Sequence, residues 1–478
     1  MRVRISILIF LIGIILFSCN QEEFTISPDA NLEFATDTVT FDTIFSSIGS
    51  ITKWFTVKNP NKQSVKISRI FLASGNRSPF RLNINGVQSK ENFDIVISGG
   101  DSLFVFVEIT IDPTGQNNPM VVQDSIVFNL NGNTQDVDLI AFGQDFHLFD
   151  GETLKTQRWQ NDKPYLIYNS VLVDSLETLT IDPGCRIHFH YGSSLFVQGT
   201  LIAEGTHESL ISFLGDRLEE SYKNVPGQWG AWFEYENGSL YIYGGIHFLK
   251  GSKDNVLDYS LIKNAQKGIQ IDSIGFSENP VLTISNSRIE NMALNCIDAR
   301  TTFIKASNSV FANSGSYTLA LILGGNYEFN HCTVANYSNF GNRKEPALVL
   351  NNYYEYNKIM YSFNLNAIFG NCIILGNKEN EISTDKDGTG SFNYLYKNCL
   401  VNTNLKEGFE NCIFNKEPRF MKVSENNFSI DSLSPARNIG DLETAKRYPM
   451  DLDNFSRLED EGPDLGALEW IPVAKRRK

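Results

Sequence analysis

The sequence predicts an all-β protein built as two domains, a sandwich of short antiparallel strands followed by a single-stranded coil of parallel ones. Three observations carry that expectation. Phe, Tyr, Ile, Val, Thr, Asn and Gly are abundant, whereas stretches of Ala, Leu, Glu and Lys at helical spacing are missing. Residues 24–146 alternate apolar and polar side chains between turn signals, and after residue 146 the strand-like runs shorten to a few residues, each followed by Gly, Asp or Asn. The length of 478 residues also exceeds what one hydrophobic core usually holds.

The first residues set the compartment. Arg2 and Arg4 precede an apolar run from Ile5 to Phe17, short for a bilayer span but right for the core of a secretory signal. The run closes on Leu16-Phe17-Ser18-Cys19, which resembles the lipobox of bacterial lipoproteins. That resemblance implies a signal peptide over 1–18, removal of which leaves Cys19 as a diacylated N-terminus, and a membrane partnership through the lipid. An uncleaved anchor, or cleavage elsewhere, is the alternative. Residues 19–23 form a tether, and Glu22-Glu23 resembles a short acidic signal that sends lipoproteins of Gram-negative bacteria to the outer face of the outer membrane. Loss of Arg2 and Arg4 from 41 Lys+Arg leaves 39 against 55 Asp+Glu, a net charge of −16. This balance argues against nucleic acid and anionic lipid surfaces as partners, because both need a basic face.

Between residues 24 and 146, "SLFVFVEITI" places Leu103, Val105, Val107, Ile109 and Ile111 on one face. Asn59-Pro60, Gly99-Gly100 and "DPTGQNNP" interrupt the strands. Roughly seven strands in this span match an immunoglobulin-like sandwich. The order "FDTIFSSIGSITKWFTVKNP", "VKISRI", "ISGGDSLFVFVEI", "DSIVFNL", "VDLIAFGQD" resembles the ASH-like family of Ig-fold modules, which implies a spacer or interaction module.

Residues 147–430 read as a coil. "LTIDPGCRIHF", "SLFVQGTLIAEGT" and "PGQWGAWFEY" place short strands too close together for helical crossovers. They resemble the opening turns of right-handed parallel β-helix proteins of the pectate-lyase-like kind. A repeat aligns "YSLIKN" at Tyr259 with "NSRIEN" at Asn286, "NSVFAN" at Asn308, "HCTVAN" at His331, "NCIILGN" at Asn371, "NCLVNTN" at Asn398 and "NCIFNK" at Asn411. The intervals are 27, 22, 23, 40, 27 and 13 residues, and the 40 implies an extra coil around "PALVLNNYYEYNKIM". Period-two alternation turns the second residue of each copy inward, so Cys332, Cys372, Cys399 and Cys412 share a slot with Ser260, Ser287 and Ser309. The slot therefore selects small size, and the preceding asparagines are placed to stack as a ladder at a corner. Zinc is disfavoured, since the cysteines lack paired spacing and nearby histidines; a disulfide between neighbouring coils remains open.

Residues 431–478 read as a capping coil and tail. Phe420, Ser434-Pro435-Ala436, Gly440, Asp451, Arg457, Asp464, Gly466, Ala467 and Glu469 resemble the recurrent positions of the last coil in bacterial parallel β-helix proteins. Physically, Arg457 paired with Asp451 or Asp464 is suited to lock a loop over the last open edge, with an exposed charged loop as the plainer reading.

For chemistry, the parallel β-helix resemblance admits both enzymes and binding proteins. The carboxylate run and the arginine-rich or Gly-His-Gly signatures of pectin-acting families are absent from the sequence. Asp272, Asp298, Arg300 and Lys305 fall near strand ends in successive coils and are the candidates for catalysis, with solvated turns as the plainer reading. His188 and His190 lie two apart on the outward side, a pair suited to a metal but without a third ligand. Trp229, Trp232 and Tyr235 offer flat faces for sugar stacking. Tyr353, Tyr354, Tyr356 and Tyr361 form either an exposed stripe or a core wall. The function expected is a cell-envelope lipoprotein that presents its coil to polysaccharide or an envelope protein without catalysis, metal or cofactor. The alternative is a polysaccharide lyase or glycoside hydrolase.

Overall fold

The computed structural model describes residues 23–115, 120–272, 275, 277–338 and 340–472. Cys19 and the 1–18 segment lie outside them. The chain is all-β with large parallel sheets, and it divides into two compact units, Met1–Asp145 and Phe146–Lys478.

The first unit contains two five-stranded sheets. One orders Glu33–Phe34, Lys53–Lys58, Ser102–Ile109, Phe80–Ile84 and Val87–Ser89, all antiparallel. The other orders Thr38–Phe45, Asn133–Gln144, Met120–Leu130, Val65–Leu72 and Glu91–Ile97, where only the Thr38–Phe45 pairing is parallel. Both sheets feed one core, in which Phe41, Val57, Ile67 and Phe128 meet Leu82, Val105 and Val107. Leu103, Val105, Val107, Ile109 and Ile111 are all buried, as their alternation requires.

In the second unit, an 11-stranded and a 17-stranded sheet are built from parallel pairings, and their inward residues fill a shared core. Leu261 lies opposite Arg288, Arg288 opposite Val310, Val310 opposite Thr333, Thr333 opposite Ile373, Ile373 opposite Leu400 and Leu400 opposite Ile413. These pairs reproduce the alignment of the sequence repeat, strand by strand. The long interval, however, hides no additional coil. Thr333 and Ile373 are direct neighbours, and the surplus residues form an antiparallel hairpin, Tyr353–Tyr356 with Ile359–Ser362, together with the loop before Leu348–Asn351. Tyr354, Tyr356 and Tyr361 on that hairpin are exposed.

The recurrent slot is more demanding than size alone. The backbone N–H of Ser260 donates to Ser287 Oγ at 3.0 Å, that of Ser287 to Ser309 Oγ at 3.1 Å, and that of Cys372 to Cys399 Sγ at 3.4 Å. Each side chain thus satisfies an amide of the preceding coil at a corner where no strand partner reaches it. Burial pushes the Cys332, Cys372 and Cys399 thiols well up, which keeps them protonated and inert. All three are free cysteines. Cys372→Ser is therefore expected to cost less than about 1.5 kcal/mol, whereas Cys372→Arg buries an unpaired charge and is expected to prevent folding of this unit. Thermal melts of the two variants check it, and a large loss in the serine variant alone would point to special sulfur chemistry.

The asparagines before the slot have a backbone reason. Asn286, Asn308, Asn371, Asn398 and Asn411 take φ of 46°, 47°, 52°, 50° and 50°, a left-handed conformation that Asn tolerates better than other side-chain-bearing residues. Their amides do not form the continuous ladder expected. Asn308 Nδ2 reaches Asn286 Oδ1 at 3.2 Å, but Asn308, Asn371 and Asn398 also donate to the carbonyls of Met450, Asp441 and Ile439. The column is a docking strip for the C-terminal segment. There Gly466, at φ 87°, sits where a Cβ would come within 2.6 Å of Thr333 Oγ1, so only glycine permits the approach. Arg457 pairs with neither Asp451 nor Asp464. It is fully buried, and it donates to Glu469 Oε1 at 2.6 Å, Asn308 Oδ1 at 3.1 Å and the Ala467 carbonyl at 3.2 Å.

Candidate functional site

One column of the large parallel sheet changes character as it climbs. Ile246, Phe248, Ile269, Ile271, Ile297 and Ala299 point into the core, so the residues between them, His247, Gln270 and Asp298, point away from it and stack in register. The column is apolar on either side of this stretch, with Leu172 and Phe196 before His247 and Ala320 and Val349 after Asp298. A polar stretch in an outward column, itself buried, calls for a cover.

An antiparallel hairpin, Trp232–Glu234 with Leu240–Ile242, supplies groups that meet it. Tyr241 from this hairpin accepts a hydrogen bond from Gln270 Nε2 at 3.0 Å and one from Arg300 Nη1 at 3.4 Å. Lys267 Nζ donates to Asp298 Oδ2 at 2.7 Å and to Gln270 Oε1 at 3.2 Å, and Arg300 Nε lies 3.3 Å from Asp298 Oδ1. Asp272 accepts from Gln270 Nε2 at 3.1 Å and lies 3.0 Å from His247 Nε2. Burial alone would raise the Asp272 pKa, but His247, the Gln270 amide and the Arg300 charge outweigh it and hold the carboxyl below its ordinary range. Asp298 is shared between two cations. The net charge of the four groups Lys267, Arg300, Asp272 and Asp298 is zero, and Asp272, Arg300 and Tyr241 retain access to solvent. Such a surface offers fixed charged donors and acceptors to hydroxyl groups and has no excess charge with which to attract an ion.

The same hairpin also carries exposed aromatic side chains. Trp232 is 45% exposed and Tyr235 48%, with Phe233 and Leu240 beside them. Trp229 does not belong with them. It is wholly buried, its ring stacks on Phe189 at 4.3 Å, and its Nε1 donates to the Lys263 carbonyl at 2.8 Å. The Gly-x-Trp element is here a core wall, because Gly245, where a Cβ would come within 2.6 Å of the ring, lets the chain pass tightly around it.

Of the four residues singled out for catalysis, Asp272, Asp298 and Arg300 come together. Lys305 does not, and faces Glu328 at 3.6 Å instead. Sequence reasoning missed His247, Lys267, Gln270 and Tyr241. The signal for His247 and Gln270 was present, since "IHF", "IQI" and "IDA" repeat an apolar-polar-apolar triplet at coil spacing. The histidine pair fares differently from expectation. His188 is buried, its Nδ1 is 3.0 Å from the Gly215 carbonyl, and burial pushes its pKa down to about 4. His190 bonds Asp216 at 2.6 Å and stacks on Tyr168. The two rings are thus engaged with different partners, and among the described residues no group of three His, Cys, Asp or Glu is placed to hold a metal ion.

No family model matches the chain, and no curated protein matches it either. Among solved structures, it is similar to a family 123 glycoside hydrolase from Clostridium perfringens, studied for glycolipid glycan hydrolysis, at 9% identity and a TM-score of 0.17. The similarity covers 26% of this chain and 26% of that one, so the chain spans about a quarter of the length of the structure it matches.

Proposed function

We propose that this chain is an outer-membrane lipoprotein of a Gram-negative bacterium that binds neutral glycan on the Trp232 hairpin without turning it over. In this reading an Ig-like sandwich follows the lipid tether, and a right-handed single-stranded parallel β-helix follows the sandwich. The parallel register of the second unit and the paired five-stranded sheets of the first support that architecture. One observation carries the function: exposed aromatic faces stand on a hairpin whose Tyr241 joins a charge-balanced polar cluster. Ring faces suit the C–H side of a pyranose, and the cluster suits its hydroxyls. Both carboxylates are engaged with cationic or imidazole partners, and Asp272 is held ionised, which favours recognition over proton donation.

In a glycan array followed by calorimetry, Trp232→Ala is expected to weaken binding by about tenfold, roughly 1.4 kcal/mol, with an unchanged melting temperature. Failure of the intact chain to bind any neutral glycan would sink the reading. The anchor is tested separately, because Cys19→Ala is expected to move the protein from the membrane to the soluble fraction and to abolish fatty-acid labelling. Unchanged labelling would reject acylation at Cys19. A second reading, a lyase or hydrolase, draws on the convergence of Asp272, Asp298, Lys267 and Arg300 on one face. Product release from a polysaccharide, abolished by Asp298→Asn, would promote it.

A further inference from the structure

We propose that the outer face of the sheet containing Lys53–Lys58, Ser102–Ile109 and Phe80–Ile84 is a second glycan site, one that takes a neutral polysaccharide chain independently of the Trp232 hairpin. The alternation that sends Phe55, Val57, Val105, Val107, Leu82 and Ile84 into the core leaves Trp54, Phe104, Phe106, Glu108, Arg81 and Asn83 on the opposite side. The register aligns them in rows. Trp54 lies opposite Phe106, Phe106 opposite Asn83 and Asn83 opposite Gln88; in the next row Glu108 lies opposite Arg81.

Trp54 is 59% exposed and Phe104 49%, and their rings meet edge to face at 5.4 Å. Phe104 and Phe106 follow as a stacked pair at 6.3 Å. The ring pairs lend the sheet a modest gain, but so large an apolar area on the water side of a sandwich is a feature of binding surfaces. Beside the rings lies a hollow of about 190 Å³ lined by Thr52, Arg81, Asn83, Gln88, Phe106 and Glu108. Within it Arg81 spends one Nη2 bond on Thr110 Oγ1 at 2.9 Å, Glu108 Oε1 accepts from Thr52 Oγ1 at 2.6 Å, and the Gln88 amide is exposed.

The chemistry identifies the occupant. Amides, a guanidinium and a carboxylate at the end of an aromatic run match a ligand that has apolar faces and hydroxyl edges on the same ring. One cation and one anion line the hollow, so an uncharged ligand is favoured, and a chain of net charge −14 repels polyanions. A flat apolar partner surface would cover the exposed Gln88 amide and the remaining Arg81 N–H groups without offering them acceptors, at a cost in affinity.

The test uses affinity electrophoresis of the full chain carrying Trp232→Ala, which weakens the hairpin site about tenfold, through gels containing xylan, galactomannan, hydroxyethyl cellulose or polygalacturonate. At least one neutral polymer is expected to retard it and polygalacturonate is not. Trp54→Ala and Phe104→Ala are each expected to raise the apparent Kd about tenfold, and Trp54→Tyr to restore most of it, since a ring face is kept. No retardation by any neutral polymer in the Trp232→Ala background, equal retardation by polygalacturonate, or insensitivity to both alanine variants overturns the proposal. Failure of the hairpin reading is distinguishable, because Trp232→Ala alone would then leave binding by the intact chain unchanged while Trp54→Ala alone still raised the apparent Kd about tenfold.

Discussion

Glu381→Ala is expected to destabilise the second unit by about 3–5 kcal/mol, because it strands a buried guanidinium. Arg343 is 2% exposed at its side chain and Glu381 0%. The pair is bidentate, with Nη1 to Oε2 at 2.8 Å and Nη2 to Oε1 at 2.7 Å. Arg343 further donates to the carbonyls of Glu345 and Asn336, while Glu381 accepts from the amides of Ala347 and Lys378. One ion pair thus closes the long loop between Asn336 and Ala347 and fixes the coil on which Leu348 pairs with Ile382. Removing one partner leaves both a charge and several backbone groups unsatisfied. A chemical denaturation series should show the loss. The exposed pair Lys446–Glu443 serves as the control, with a cost below about 0.5 kcal/mol on breaking it. Replacing both buried partners together, as Arg343→Met with Glu381→Leu, is expected to cost less than Glu381→Ala alone. A single-variant loss no greater than the surface control would refute the assignment.

Much of the architecture was legible in the chain because short-period patterns report which way a side chain points. The 27-, 22- and 23-residue spacings of Asn286, Asn308 and His331 are the strand registers themselves. The 40-residue gap misled because an inserted hairpin and a missing coil both lengthen an interval, and only the pairing of Thr333 with Ile373 separates them. Trp229 was misassigned for a related reason. Tryptophans three residues apart carry no label for core or solvent once the chain leaves a regular strand, and here tight turning at glycine buries the first ring and exposes the second. The polar cluster was half-legible. Asp272, Asp298 and Arg300 come from strand ends in neighbouring coils, which periodicity tracks, whereas Tyr241 arrives on a hairpin outside the repeat.

The same limit explains the partner of Arg457 and leads to the second large effect. Sequence offered Asp451 and Asp464 as counter-ions, but the guanidinium goes to Glu469, and both aspartates accept backbone amides: Asp451 those of Phe455 and Glu469, Asp464 those of Asn438 and Trp470. Three carboxyls are thus buried with Arg457 beside Asp451 and Glu469 and Arg437 acting on Asp464, and the remaining imbalance is relieved by protons. Burial pushes Glu469 up to about 8 and Asp464 up to about 6, against the attraction of Arg457 for Glu469. Because these folded-state values lie above the unfolded ones, the folded protein holds protons that the unfolded chain has released. Their contribution to stability is complete below about pH 4 and is lost as pH rises through 6 to 8. Arg457→Met removes the cation bonded to Glu469, so the variant should lose about 3–5 kcal/mol at pH 8, where that carboxyl must ionise unpaired or take up a proton at a cost. At pH 5, where Asp464 and Glu469 are already mostly protonated, the loss should be clearly smaller. Denaturation midpoints of wild type and variant at the two pH values decide it. Equal losses at both would show that Arg457 acts through packing and its bonds to Asn308 and Ala467, and not as the charge that holds the C-terminal segment on the asparagine strip.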